Sequence, residues 1–350
     1  MNIIISIIAV AFGLGFLIFI HELGHFSAAR LCKVRVLTFA FGFGPDLVKY
    51  VRNGTKYCIK LFPFGGMVAM AGENPEESTG GEGEFLSLPW YKKIFISFLG
   101  PFANYVLAAL IFTCAFSVWG ISSASQYAQI GGIAKDYPAF SAGLQSGDKI
   151  KKIDGAEIVL WKDISENLQN KGGQKALFTI ERNAQTFDVI IEVAKNPVTG
   201  TGIIGIAPAV VRMESGFFQS VQYGVKASLL QTIMTVSYLI DKAFSLEKPD
   251  ISGPIGIAQV MADATKKGLE NYIILLAIIS TALGLFNLFP IPFVDGGMII
   301  LFLVEGITRK KISAKIIAVY NTIGIVIIAA IFVFATYSDL MRLGLGKLFK

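Results

Sequence analysis

"FLIFIHELGHFSAARL" (residues 16–31) closes the first long apolar run of the chain and sets two histidines and a glutamate at its end. A helix through this stretch puts His21 and His25 four residues apart on one face, where both imidazoles can bind one metal ion. Glu22 then points to a neighbouring position, suited to act as general base for a water that the metal activates. An ionisable group at mid-membrane costs about 2.5–3.5 kcal/mol on insertion scales, so three in one apolar run need a reason.

The rest of the sequence supplies the setting. Of 350 residues 53% are hydrophobic and only 16% charged, the balance of a multi-span membrane protein. Four stretches reach the roughly 20 apolar residues that a crossing takes: Ile3–Leu31, Ile94–Trp119, Tyr272–Val304 and Ile316–Tyr337. Pro290 and Pro292 interrupt the third. The net charge of +6 reports topology before it reports an anionic ligand. No Arg/Lys stripe interleaves with aromatics, so no nucleic-acid partner is expected. Cys32, Cys58 and Cys114 are scattered, offering neither a disulfide framework nor a cysteine zinc site. Met1–Ile20 lacks a basic leader and a cleavage-site pattern, and is expected to be retained.

The organisation follows in four parts. Residues 1–119 hold the first two spans; between them Asn53-Gly54, flanked by strand-like segments, predicts a β-hairpin. A Gly/Glu/Ser/Pro-rich loop, Glu73–Glu84, follows and is expected to be mobile. Residues 120–210 form an inserted domain, in which "KALFTIERNAQTFDVIIEV" (175–193) alternates like a hairpin. Residues 211–270 are an amphipathic membrane-surface region, whose Gly216–Ser245 suits a helix on the bilayer surface or packed on the spans. Residues 271–350 carry the last two spans. Arg30, Lys33, Arg35, Lys92 and Lys93 mark the first link as cytoplasmic, and Arg309, Lys310, Lys311 and Lys315 mark the last. The 120–270 region then faces the other side. Arg342, Lys347 and Lys350 in the tail run against this assignment.

A catalytic zinc takes three protein ligands and an open position. The chain has only two histidines, so the third ligand must be a carboxylate or a cysteine. Asp295, in "LGLFNLFPIPFVDGG" (283–297), is the acidic residue within the third apolar stretch. At about 1.5 Å per residue, His21 lies roughly 27 Å along the first span and Asp295 roughly 35 Å along the third, both towards the cytoplasmic side. A proline-broken backbone at that depth has to be buried in protein or line a cavity. Asn287 reads two ways: its amide holds a scissile carbonyl or its oxyanion, or it satisfies backbone freed by Pro290. Asn104 reads as a hydrogen-bond partner for a neighbouring helix. By ligand type Zn2+ suits the set best, with iron or cobalt as alternatives.

"HELGH" (21–25), "FLGPFANYVLA" (98–108) and "NLFPIPFVDGG" (287–297) together resemble the site-2 protease family of intramembrane zinc metalloproteases, in its bacterial PDZ-bearing branch. The resemblance implies a polytopic α-helical membrane protein of four spans, with a membrane-associated β-hairpin and an inserted extracytoplasmic PDZ domain of β-rich α+β type. It implies that His21, His25 and Asp295 bind Zn2+, that Glu22 is the catalytic base, and that Asn287 assists at the substrate. It also makes "YCIKLFPFGGMVAM" (57–70) a membrane-re-entrant β-element whose Gly65, Gly66 and Met67 meet substrate. Met67 stands where the family commonly has an aromatic. Adding an unwound substrate as a strand to an exposed edge is the physical reason for such an element.

"YPAFSAGLQSGDKIKKIDG" (137–155) and "TGIIGIAPA" (201–209) resemble bacterial PDZ segments, implying a peptide-terminus site or a steric filter. "ISGPIGIAQ" (251–259) recurs in the family as a Gly/Pro turn before the third span. The expected function is an endopeptidase of the bacterial inner membrane, with its active site near the cytoplasmic side. It would cut the transmembrane segment of single-span proteins, of anti-sigma-factor or signal-peptide-remnant type, in regulated intramembrane proteolysis. A non-catalytic PDZ scaffold is opposed by the intact Glu22 and ligand set, and a zinc transporter by the scarcity of histidines.

Overall fold

The computed structural model of the chain describes residues 3–196, 200–245 and 253–343. They fall into two compact units, one of residues 1–119 with 216–350 and one of residues 120–215.

The first unit begins with α1 (Ile3–Leu31), whose Leu17 is buried among Met261 and Leu276. The helix ends as Lys33 takes φ 64° and the Val34 N–H reaches back to the Ala29 carbonyl. β1 (Val36–Arg52) and β2 (Thr55–Met70) follow, joined by Asn53 and Gly54 at φ 48° and 77°, the double-positive turn expected of Asn-Gly. The expected two-stranded hairpin is only part of the arrangement. Both strands bend near Gly42, Gly44 and Gly65, and each half finds its own partner. Residues 46–52 pair with 55–60, residues 38–41 pair with 56–59 in a register where both numbers rise, and residues 36–41 pair with 66–70. The result is a curled sheet of four segments in the order 46–52, 55–60, 36–41, 66–70, with 66–70 on its outer edge.

The Glu73–Glu84 loop, expected to be mobile, is tied down. The Glu84 carboxylate accepts from the Thr79 hydroxyl (2.6 Å), the Ser78 hydroxyl and the Thr79 and Gly80 N–H groups (3.0 Å each). These bonds, Thr79's hydroxyl foremost, hold its carboxyl below the usual carboxylate range. α2 (Trp90–Trp119) completes this half of the unit and carries Pro101 in its interior.

The second unit consists of β3 (Ile121–Ala124), β4 (Ile130–Ile133), α3 (Pro138–Ser141), β5 (Lys149–Ile153), β6 (Ala156–Glu157), α4 (Trp161–Leu168), β7 (Lys175–Arg182), β8 (Gln185–Glu192), β9 (Ala194–Lys195), β10 (Gly202–Ile203), β11 (Ile206–Pro208) and β12 (Val210–Met213). β6-β5-β7-β8 form an antiparallel sheet, and β11–β4, β10–β9 and β12–β3 are pairs. The alternation read in 175–193 is realised: Ala176, Phe178 and Ile180 are buried while Leu177 is exposed. Asn183 and Ala184, at φ 50° and 62°, make the turn. Asp148 is buried; burial pushes its carboxyl up, but Arg182 (2.6 and 2.8 Å) and the Gln145 N–H (2.8 Å) hold it below the usual range.

The first unit resumes with α5 (Phe217–Ser245), α6 (Pro254–Lys267), α7 (Leu269–Asn287), α8 (Asp295–Thr308) and α9 (Ala314–Arg342). α5 packs lengthwise and antiparallel on α2. Gly224 abuts Thr113 and Ala109, and eight residues on, Thr232 Oγ1 meets the Tyr105 hydroxyl at 3.1 Å. "GPIG" (253–256) gains a physical role: the Gly253 and Gly256 N–H groups donate to buried Asp339 of α9, at 3.1 and 2.8 Å, capping α6. Ile251, Ser252, Lys347 and Lys350 lie outside the described residues.

Among the described residues four helices are long and apolar enough to cross a membrane: Ile7–Leu31, Trp90–Trp119, Leu269–Asn287 and Ala314–Arg342. The third apolar stretch is broken after Asn287, as its prolines predict, and Asp295 opens a new helix, α8. Lys93, counted above among the positive loop residues, is buried instead. Its ammonium donates to both oxygens of buried Glu305 (2.7 and 2.8 Å) and sits 4.8 Å from the Phe302 ring centroid.

Candidate active site

α1 supplies the histidines, and α2 decides how they stand. Gly24 of α1 lets the two backbones touch: a Cβ there would lie 2.2 Å from the Leu99 carbonyl oxygen. At the matching position on α2, a Cβ on Gly100 would lie 2.2 Å from His25 Nε2. Glycine is therefore required at 100 for His25 to occupy its place. His25 Nδ1 then lies 2.8 Å from the Ile96 carbonyl, which accepts its proton and leaves Nε2 as the free lone pair. His21 is buried, with its Nδ1 3.3 Å from the carboxamide of Asn104.

The break between α7 and α8 delivers the third group. Phe293 holds φ 76°, a conformation costly for a bulky residue, and two residues later Asp295 begins α8. Its carboxylate oxygens lie 3.2 Å from His21 Nε2 and 3.3 Å from His25 Nε2, while the two Nε2 atoms are 3.1 Å apart. One ligand atom from each of the three residues falls within 4.8 Å of the others. Two imidazole nitrogens and one carboxylate oxygen, converging on a point with one side open to a cavity, match the donor set of a catalytic zinc site.

That cavity, about 420 Å³, is lined by His21, Glu22, His25, Gly66, Met67, Asn287 and Asp295. Gly65 is not among its lining residues; it provides the bend, at φ 90°, that starts the edge segment. Gly66 lies against Glu22, whose Cγ would be 2.9 Å from any Cβ placed there. The Val68 N–H donates to Glu22 Oε2 at 3.1 Å, and the Met70 N–H to Glu73 Oε2 at 3.0 Å. Both N–H groups point away from β1, so the free edge of 66–70 runs past the general-base candidate.

Several participants were given no role by the sequence. Gly24 and Gly100 lie within HELGH and FLGPFANYVLA, yet by themselves read as small residues of apolar helices. Glu73 reads as part of a polar loop. Asn321 of α9 also lines the cavity, and its buried Oδ1 has no partner among the described residues.

Paired imidazoles, a carboxylate and a neighbouring glutamate at the end of an apolar helix define a metallopeptidase built into a membrane protein. A family model, Peptidase family M50, matches residues 9–331, and the chain belongs to that family. It is similar to a Clostridium acetobutylicum protein named "putative zinc metalloprotease", 32% identical over 97% of each chain. A Brucella suis protein bearing the same description is 29% identical over 96% of this chain and 95% of its own. Among solved structures it is similar to the PDZ domain of an SdrC-like protein from Listeria innocua (22% identity, TM-score 0.22, covering 23% of this chain and 92% of that one). The protein is thus a zinc-dependent metallopeptidase of the site-2 protease family.

Proposed function

We propose that this peptidase cleaves the transmembrane segment of single-span membrane proteins. The observation that carries the reading is the free edge of residues 66–70 beside Glu22, on the same cavity as His21, His25, Asp295 and Asn287. A helical substrate hides its peptide bonds in its own hydrogen bonds and has to be unwound before it can be cut. The outward N–H groups of Val68 and Met70 offer an extended substrate replacement partners. In this structure carboxylates of Glu22 and Glu73 take those positions, so an arriving strand exchanges its carbonyls for them.

His21, His25 and Asp295 are the residues that would hold zinc. Bound there, zinc would supply Lewis-acid activation of water and of the scissile carbonyl. Glu22 takes the proton from the attacking water and returns it to the leaving amine. Asn287, the last residue of α7, lines the cavity, and its carboxamide is the group to steady the carbonyl under attack. Gly66 and Met67 floor the cleft. Residues 120–215 act as a PDZ-type domain on the extracytoplasmic face, taking a peptide terminus or excluding bulky ectodomains. The remaining short-loop cations, Arg30, Lys33, Arg35 and Lys92 with Arg309, Lys310, Lys311 and Lys315, support an active site near the cytoplasmic side of a bacterial inner membrane. Anti-sigma factors and signal-peptide remnants are the substrate classes that the family resemblance offers.

The test uses detergent-purified wild type, Glu22→Gln and Asp295→Asn, each assayed for bound zinc and for cleavage of a short-ectodomain single-span substrate. Glu22→Gln keeps its zinc and loses cleavage by at least about 100-fold. Asp295→Asn loses zinc. A Glu22→Gln protein that cuts as wild type does would overturn the assignment.

A further inference from the structure

α1 is bound to α2 by two histidine contacts of different kinds. His25 Nδ1 meets a main-chain carbonyl, which can only accept. His21 Nδ1 meets the side chain of Asn104, which can either donate or accept. Asn104 is fully buried, and its main-chain carbonyl accepts the Ser280 hydroxyl at 2.9 Å, so α7 pins α2 at this point. As placed, its Nδ2 faces His21 Nδ1 at 3.3 Å, and its Oδ1 is buried with no partner among the described residues.

The direction of this bond matters because His21 Nε2 is the atom facing Asp295 and His25. A neutral imidazole has one proton. If Asn104 donates to Nδ1, the proton sits on Nε2, and that nitrogen has no lone pair for a metal. If Asn104 accepts, the proton sits on Nδ1 and Nε2 is free. Half a turn of the carboxamide about its terminal bond, with the ring proton passing from Nε2 to Nδ1, exchanges the two states and moves no heavy atom outside the carboxamide. The turn gives the orphaned oxygen a donor and puts the amino group where the oxygen was.

We infer that Asn104 is a positioning residue for the metal. Its carboxamide oxygen accepts the His21 Nδ1 proton and so holds the ring in the one tautomer that can ligate through Nε2. Burial excludes water from doing the same work, and among the described residues Asn104 is the hydrogen-bond partner at His21 Nδ1. The inference rests on the ligand set proposed above and adds to it the group that makes His21 competent.

Asn104→Asp and Asn104→Ala decide the matter, in full-length protein in detergent. A carboxylate can only accept, so Asn104→Asp preserves the required bond; alanine removes it. Zinc retention against graded chelator is expected at or above the wild-type level in Asn104→Asp, and weakened about 10- to 100-fold in Asn104→Ala. Because the chain has just two histidines, nitrogen-15 labelling of histidine shows both rings directly. In zinc-loaded wild type and Asn104→Asp, both rings are expected to be protonated at Nδ1. Equal weakening in Asn104→Asp and Asn104→Ala, or no weakening in either, overturns the inference while leaving the ligand set standing. A wild type that binds no zinc overturns the ligand set itself. Where Asn104→Ala does not yield folded protein, Asn104→Asp and the wild-type nitrogen spectrum still decide.

Discussion

Gly100→Ala asks one methyl group to occupy space held by a proposed ligand. A Cβ at position 100 lies 2.2 Å from His25 Nε2, 2.4 Å from Cε1 and 2.8 Å from Cδ2. Contacts settle near 3.5 Å, so either the ring retreats by roughly 1 Å or the helices part by as much. Zinc–imidazole bonds are about 2.0–2.1 Å long and tolerate about 0.2 Å. A retreat of that size takes His25 off a metal shared with His21 and Asp295. Parting would open the adjoining contact, where Gly24 rests on the Leu99 carbonyl. Overpacking of this kind costs about 1–3 kcal/mol. If losing the metal relieves it, zinc affinity falls roughly 5- to 150-fold, at about 1.4 kcal/mol per decade. The assay equilibrates purified protein against graded zinc–chelator buffers and reads bound zinc by mass spectrometry. Gly216→Ala, where a Cβ meets nothing within 4 Å, is the control and should bind as wild type. Gly100→Ala that holds zinc as tightly as wild type would refute the packing argument.

Three further outcomes are expected. Lys93→Met or Glu305→Gln alone strands a buried charge or polar group and should cost about 3–5 kcal/mol, while Lys93→Met with Glu305→Leu recovers most of it; thermal unfolding in micelles compares them, and equal loss in all three would sink the idea. Glu73→Ala frees the Met70 N–H for a substrate strand, so KM should fall about fivefold with zinc content unchanged; an unaltered KM argues that no strand pairs there. Asp148 has a folded pKa below its unfolded value, so the stability it contributes is full above about pH 4 and is lost as pH falls through the folded value. Asp148→Asn should flatten that acid slope in the unfolding of residues 120–215, and an unchanged slope would show that Arg182 is not its source.

The sequence announced those features that repeat locally. His21 and His25 at helical spacing, the Asn53-Gly54 turn and the period-two run 175–193 each follow from a few neighbouring residues. Asp295 was reachable because two histidines cannot complete a catalytic site, and because Pro290 and Pro292 had to mean a break. What the sequence left hidden depends on partners far along the chain. Lys93 meets Glu305 across 212 positions, and Asp339 caps a segment 83 to 86 positions earlier. The pairing of 38–41 with 56–59 arises from bends at glycines, where alternation continues on either side and gives no sign of a change of partner. The loop at 73–84 read as mobile because its composition is that of a loop. Its order comes from one carboxylate collecting four donors, which no periodicity encodes.

The cavity gathers three departures from regular backbone, each expensive in hydrocarbon. Pro101 has no N–H, so the carbonyl of Ser97, one turn back and on the cavity wall, loses its helical donor. Residues 288–294 leave helix altogether, with Phe293 forced to positive φ. The 66–70 edge carries outward N–H groups that no strand satisfies. Lipid could supply partners to none of these groups, and scattered over the surface each would cost several kcal/mol. Gathered on one polar cavity, they become groups that water and an unwound peptide can satisfy. Those are the two reactants of peptide hydrolysis. Buried His21 and half-buried Glu22 and His25 are the part of that arrangement which the first apolar run displays in its sequence. The same economy explains why α2, with no carboxylate, histidine, lysine or arginine in its middle, shapes the site through Gly100, Pro101 and Asn104.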